Sequence, residues 1–167
     1  TKTLASRFSS GKPWDYDVKN SGYNYRLDEI RAALGISQIK QIKKMNLLRK
    51  KASDYYNKKL GNVQGIIVPD KSVGMEHVHH LYVIRVTKKY GITRDILFQK
   101  LLKAGIRTSV HYKPLHRFTI FKKMSKAGDQ LSNSKDAYSQ ILSLPIYPSI
   151  SKKQQDSVIK NIKKYKA

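Results

Sequence analysis

The sequence contains no cysteine and has few acidic residues. Its 167 residues include 11 Asp and Glu against 34 Lys and Arg, which gives a formal net charge of +23. Without cysteine the chain cannot form a disulfide framework, a thiolate metal site or a catalytic thiol. This excludes a small secreted protein held by disulfides and favours a reducing compartment, so we expect the protein to be cytoplasmic.

Long apolar runs are also missing. No run approaches the roughly 20 apolar residues that a membrane-spanning helix needs, and the start of the chain has no apolar stretch of signal-peptide length. We therefore expect a soluble protein with no membrane partner. The sequence does not begin with Met, which fits a processed, trimmed or partial chain.

The basic charge raises the question of a nucleic-acid partner, because a basic domain gains affinity for nucleic acid by releasing counterions. Lysine outnumbers arginine, 26 to 8, and the lysines are spread along the whole chain. Recognition of bases and phosphates favours the planar arginine side chain. We interpret the lysines as a solvated surface and do not expect nucleic acid as a partner, but a basic nucleic-acid-binding module stays the alternative.

The spacing of apolar residues predicts one very long amphipathic helix. From Leu27 they recur at steps of three to five as far as about Leu60, where Gly61 and Asn62 predict its end. Such a helix would be about 50 Å long, whereas a compact domain of this size is only about 40 Å across. We expect it to protrude, to bend near Gly35 or to pack on something outside this chain.

The rest of the chain predicts a small α/β layer of the α+β kind beside the long helix. Residues 1–21 show neither the helical nor the strand period and predict an extended arm, which leaves residues 22–167 as one domain. The predicted elements are strands at residues 80–87 and 106–110, a helix capped by Thr93 and ended by Gly105, a short helix from Ser132 through Leu142, an extended segment at 144–148, and a last helix opened by Ser151 and Gln154.

Two stretches could bind a ligand. Asn24 and Arg26 stand where the arm becomes the long helix, and their amide and guanidinium groups, together with the N–H groups of a helix start, suit an anion. The alternative is a turn with Asn24 as a local helix cap. His111, Tyr112 and His116 follow the second predicted strand, which is a common position for a polar substrate pocket; the alternative is a packed surface loop.

His77, His79 and His80 raise the possibility of a metal site. The first two share one face of an extended segment, but zinc needs a third or fourth ligand, which the pattern does not supply. We expect packing at the entry to a strand and no metal. The sequence also contains no P-loop, no GxGxxG and no nucleophile–base pair, so it offers no self-contained catalytic apparatus.

Four linked motifs closely resemble the DegT/DnrJ/StrS family of sugar aminotransferases. Their order and spacing match from about residue 13 to residue 162. The motifs are GYNYRLDEIRAALG at residues 22–35, HLYVI at 80–84, GIRTSVHY at 105–112 with Pro114 and His116 beyond it, and LSLPIYP at 142–148.

The resemblance implies a pyridoxal-phosphate enzyme that aminates a keto sugar attached to a nucleotide, for polysaccharide or amino-sugar synthesis. Such enzymes have a large domain of the aspartate-aminotransferase type followed by a smaller C-terminal domain, and this chain resembles the smaller domain. The Schiff-base lysine of the family lies upstream of the matched motifs, so we expect no catalytic residue in this chain and no activity from it alone.

The resemblance also implies roles for the candidate residues. Asn24 and Arg26 would reach across a homodimer interface to the cofactor phosphate of the other subunit. His111, Tyr112 and His116 would line the side on which the nucleotide sugar binds. The long helix would bridge domains and subunits, so we expect a homodimer or self-association through this helix, with a nucleotide sugar and an amino donor as substrates of the complete enzyme.

Overall fold

The computed structural model describes Tyr23 and residues 25–70, 74–122 and 131–166. The chain divides into two units, Thr1–Ile39 and Lys40–Ala167. The predicted boundary between an arm at 1–21 and a domain at 22–167 lies outside the described residues, and it stays a prediction.

Helix α1 runs from Glu29 to Leu60 as one continuous helix through Gly35, as the apolar spacing predicts. Asp28 caps its start, because the Arg31 backbone N–H donates to Asp28 Oδ1 at 2.8 Å. The Arg31 guanidinium also pairs with Asp28 Oδ2 at 3.2 Å. Asp28, which directly precedes the helix, is therefore its N-cap residue.

The buried side chains of α1 all lie in its last third. These are Ala52, Ser53, Tyr56 and Leu60, which face the core. Earlier apolar side chains of the helix are exposed, namely Ile30, Leu34, Ile36, Ile39, Ile42 and Leu47. The predicted apolar stripe is thus a core contact only from Ala52 onward, and Met45 is half-buried.

Within the described residues the sheet has three antiparallel strands in the order β1-β2-β3. They are β1 at Ile66–Ile67, β2 at Tyr82–Val86 and β3 at Ile141–Leu144. In the central strand β2, every second side chain is buried because side chains alternate across a sheet. The sheet therefore presents one face of β2 to the helices.

Helices α2 at Arg94–Lys103 and α5 at Lys152–Lys164 confirm two sequence predictions. Thr93 Oγ1 accepts the Ile96 backbone N–H at 3.3 Å. Ser151 and Gln154 form the reciprocal capping box, with bonds of 3.2 and 2.8 Å. Between α2 and α5 lie α3 at Thr119–Lys122 and α4 at Ser132–Gln140. Short 3-10 turns occupy Lys88–Tyr90 and Leu115–Arg117.

Two sequence predictions about secondary structure are wrong. Residues 106–110 form no strand but a single bridge, Ser109 to Ser143. Ile141 and Leu142, predicted at the end of a helix, begin β3. Pairing with β2 decides this, because it sets Leu142 opposite Ile84 and buries both, which outweighs the local helical spacing.

Three fully buried tyrosines organise the core. The Tyr56 and Tyr82 rings pack with centroids 4.9 Å apart, which joins α1 to β2. Tyr56 donates to Pro145 O at 3.0 Å and Tyr82 to Asn57 Oδ1 at 2.6 Å. Tyr90 donates to the Ile162 carbonyl of α5. Burial raises the pKa of all three phenols, so they act as neutral donors.

We predict that Gly65→Ala destabilises the fold by about 2–4 kcal/mol. Gly65 has φ +82°, and a Cβ there would lie 2.1 Å from the Tyr90 backbone nitrogen. Gly35→Ala is the matched control, because a Cβ there meets nothing within 4 Å among the described residues. It should raise helix stability by about 0.5–1 kcal/mol. Urea denaturation followed by circular dichroism measures both, and equal stability of Gly65→Ala and wild type would contradict the close contact.

Candidate functional site

A cavity of about 270 Å³ lies beside the start of β2 and the end of β3. Three chain segments line it: the residues that enter β2, the segment that makes the single bridge, and the residues around the end of β3. The lining residues are His80, Leu81, Arg107, Thr108, Ser109, His111, Ser143, Leu144, Pro145 and Ile146.

The bridge between Ser109 and Ser143 fixes the backbone at this cavity. Ser109 N–H donates to Ser143 O at 3.2 Å, and Ser143 N–H donates to Ser109 O at 2.8 Å. His111, two residues further on, places Nδ1 2.8 Å from Ser143 Oγ. The imidazole is therefore held at the cavity wall by a buried hydroxyl.

The polar groups of the cavity suit an anionic ligand. Arg107 is exposed and brings a guanidinium, His80 and His111 bring imidazoles, and no carboxylate lies among the lining residues. Thr108 Oγ1 is buried without a hydrogen-bond partner within the described part of the chain. An unpaired buried hydroxyl is costly to the folded state.

The three predicted substrate residues do not all meet at this cavity. His111 lines it, whereas Tyr112 is 72% exposed and packs edge-on against the His111 ring at 4.8 Å. His116 is half-buried in the 3-10 turn Leu115–Arg117 and is not a lining residue. Arg107, Thr108 and Ser143 were not predicted as site residues. The local sequence gives no signal for them, because their segments meet only through the bridge between Ser109 and Ser143.

On the predicted phosphate side, Asn24 lies outside the described residues. Arg26 is exposed and makes no ion pair within the described residues. A guanidinium left free in this way suits the phosphate end of a cofactor, since it donates in a fork to two oxygens. The first backbone N–H groups of α1 are less suitable for binding a phosphate, because Asp28 already accepts the Arg31 N–H and Glu29 adds a second negative charge.

In the histidine cluster His77 and His79 contact each other, and His77 and His80 are exposed. The His77 and His79 rings lie 4.4 Å apart, and the His79 backbone N–H donates to His77 Nδ1 at 2.8 Å, which occupies that ring nitrogen. Among the described residues no group of three or more His, Asp or Glu is placed to hold a metal ion.

Exposed lysines lie on helices α1, α2 and α5 and are not confined to one element.

In the described part of the chain no helix is both long enough and apolar enough to cross a membrane. Helix α1 is long enough, but it carries many lysines.

The chain matches the DegT/DnrJ/EryC1/StrS aminotransferase family over residues 4–163. It belongs to this family, as its four motifs predict. It is 34% identical over 167 residues to the spore coat polysaccharide biosynthesis protein SpsC of Bacillus subtilis. It is 32% identical over 141 residues to the UDP-4-amino-4,6-dideoxy-N-acetyl-beta-L-altrosamine transaminase of Campylobacter jejuni.

Solved structures confirm the predicted α/β fold of the small domain. The aminotransferase PseC of Helicobacter pylori, involved in the biosynthesis of pseudoaminic acid, superposes with a TM-score of 0.80 at 25% identity, over 92% of this chain and 41% of that one. DesV of S. venezuelae gives 0.81 at 28% identity, over 93% and 41%. A Streptococcus pneumoniae relative has been solved in both PLP and PMP forms, which matches the predicted cofactor of the family.

The chain spans only part of its relatives. The match to the Bacillus subtilis protein covers 98% of this chain and 43% of that protein. The match to the Campylobacter jejuni enzyme covers 84% of this chain and 37% of that enzyme. The family membership therefore concerns this portion of the fold.

We predict that the protein loses stability as the pH falls through about 6.5. Burial lowers the pKa of His79 below 6.5, and the neighbouring His77 lowers it further. The unfolded chain then binds a proton more readily than the folded chain, so acid favours unfolding. Urea denaturation between pH 5 and 8 measures the slope. His79→Asn removes the titratable imidazole and should therefore reduce this slope. Asn is the suitable replacement because it tolerates the positive φ of 48° at this position. Equal slopes for wild type and His79→Asn would contradict the role of His79 in this pH dependence.

Proposed function

We propose that this chain is the C-terminal domain of a pyridoxal-phosphate-dependent aminotransferase that aminates a nucleotide-linked keto sugar. The observation that carries the proposal is a cavity lined by His111 and Arg107 in a chain of this family, with no carboxylate among its lining residues. The Campylobacter jejuni relative is named as a transaminase of a UDP-linked amino sugar, which supports the same substrate class here. The cytoplasm stays the predicted compartment.

The cavity would receive the diphosphate of the nucleotide sugar. Arg107 would donate in a fork to phosphate oxygens, and His80 would add a donor. His111 would present a fixed imidazole, since Ser143 holds its other side. Tyr112 and His116 would contact the substrate from the exposed loop beyond, where a phenol and an imidazole suit sugar hydroxyls.

The cofactor would contact this chain through its phosphate. Pyridoxal phosphate supplies the electron sink that amino-group transfer requires. Asn24 and Arg26 would bind the phosphate with an amide and a guanidinium. The Schiff-base lysine would come from the large domain, so the chain alone would neither attach the cofactor covalently nor transfer an amino group.

The exposed apolar side chains of α1 would be covered in the complete enzyme. Ile30 is 84% exposed and Ile39 is 69% exposed, which is unfavourable for a helix in water. A second subunit and the large domain would pack on them, which agrees with a homodimer formed through this helix. The amino donor stays the predicted second substrate of the complete enzyme.

In the complete enzyme, we predict that Arg107→Gln raises the KM for the nucleotide sugar about tenfold or more, because one charge-assisted contact is lost. The KM for the amino donor should stay unchanged. Lys103→Gln is the control of equal charge change, since Lys103 is exposed at the end of α2 and does not line the cavity. Equal effects of both variants would mean that only overall charge matters and would contradict the proposed subsite.

A further prediction concerns Asn24. In the complete enzyme, Asn24→Ala should weaken cofactor retention by about 1.5–3 kcal/mol, the cost of one lost hydrogen bond to a charged group. Equilibrium dialysis followed by cofactor absorbance measures this. Asn133→Ala, on the exposed face of α4, should retain the cofactor as wild type does. Unchanged retention in Asn24→Ala would remove this residue from the phosphate site.

A further inference from the structure

A second cavity of about 270 Å³ lies where helices α1 and α5 end. It shares no residue with the cavity at His111. Its lining combines the last turn of α1, the loop after it and the end of the chain. The lining residues are Lys59, Asn62, Val63, Gln64, Lys163 and Lys166.

Every polar side chain of this cavity is a lysine or an amide. None of the three lysines pairs with a carboxylate in the described part of the chain. Lys166 Nζ donates to Gln64 Oε1 at 3.0 Å, which ties the end of the chain to the loop and orients the amide. The Gln64 amide nitrogen and the Asn62 side chain then remain as donors toward a ligand.

Helix dipoles explain only part of this arrangement. A cation near a helix C-terminus is favourable, and α1 and α5 already carry two lysines each in their last turns. Lys166 lies beyond the end of α5 and adds a further lysine to the lining. The Lys59 ammonium group lies 5.7 Å from the Tyr55 ring centroid. Three lysines in one lining without a carboxylate give it a positive potential, so an anion with several charges is the favoured ligand.

We propose that this cavity binds a small oligophosphate anion of the size of pyrophosphate. Its volume of about 270 Å³ is more than a single phosphate fills. Lysine ammonium groups are point-charge partners for phosphate oxygens, and the two amides add neutral donors. A single nucleic-acid strand is the less suitable ligand, because no aromatic side chain lines the cavity to stack a base.

Calorimetric titration of the full chain with pyrophosphate tests the proposal. We expect one saturable site whose affinity falls with added salt. Lys163→Gln/Lys166→Gln should weaken binding about tenfold or more, and Lys163→Arg/Lys166→Arg should restore most of it. The matched control is Lys153→Gln/Lys160→Gln, which removes the same charge from exposed positions of α5 that do not line the cavity. This control should bind within about twofold of wild type.

Three outcomes would overturn the proposal. The first is a wild-type chain that shows no saturable binding of pyrophosphate. The second is an equal loss in both glutamine pairs while circular dichroism shows both folded, which would mean that only the net charge attracts the anion. The third is binding of a single-stranded oligonucleotide that depends on Lys163 and Lys166 while pyrophosphate does not bind, which would assign the site to nucleic acid.

Discussion

The packing of Tyr56 on Tyr82 connects helix α1 to the sheet. Tyr56 comes from α1 and Tyr82 from the central strand, and each ring is fully buried. Their hydroxyls bond to Pro145 and to Asn57, so the contact also fixes the backbone that follows β3. Because Pro145 and Ile146 line the first cavity, the position of that cavity depends on the same pair of rings.

The cavity exists because β3 is paired unequally on its two edges. One edge pairs with β2 over four residues, and within the described residues the other edge pairs at Ser109 alone. A full strand at residues 106–110 would have committed that backbone to a ladder. The single bridge instead leaves Arg107, Thr108 and His111 to surround an open space, while Ser143 anchors both the bridge and the imidazole.

Local signals in the sequence predicted helices α1, α2 and α5. The apolar spacing gave α1, and the side chains of Thr93 and Ser151 bond to the backbone as their patterns indicate. These signals act over three or four residues, so they can be found without the fold. The start of β3 at Ile141 could not be found in this way, because its partner Arg85 lies 56 residues earlier in the chain.

The same distinction separates the site residues. His111 stood out because two imidazoles and a phenol in one short loop are conspicuous in any sequence, and it does line the cavity. Arg107 and Ser143 become a site only when β3 brings their segments together, so their composition alone carried no signal. The family motifs covered both segments, but a motif does not show which side chains face a common space.

The confinement of core contacts to the last third of α1 has a consequence for how the helix forms. The turns from Ala52 to Leu60 carry the fully buried side chains of α1, whereas the side chains of the earlier turns are exposed or half-buried in the described part of the chain. Helical turns with less tertiary packing open at lower free energy, and long helices form by growth from an existing nucleus. Amide hydrogen exchange should therefore slow along α1 toward Leu60, and the buried last turns should serve as the nucleus from which the helix extends.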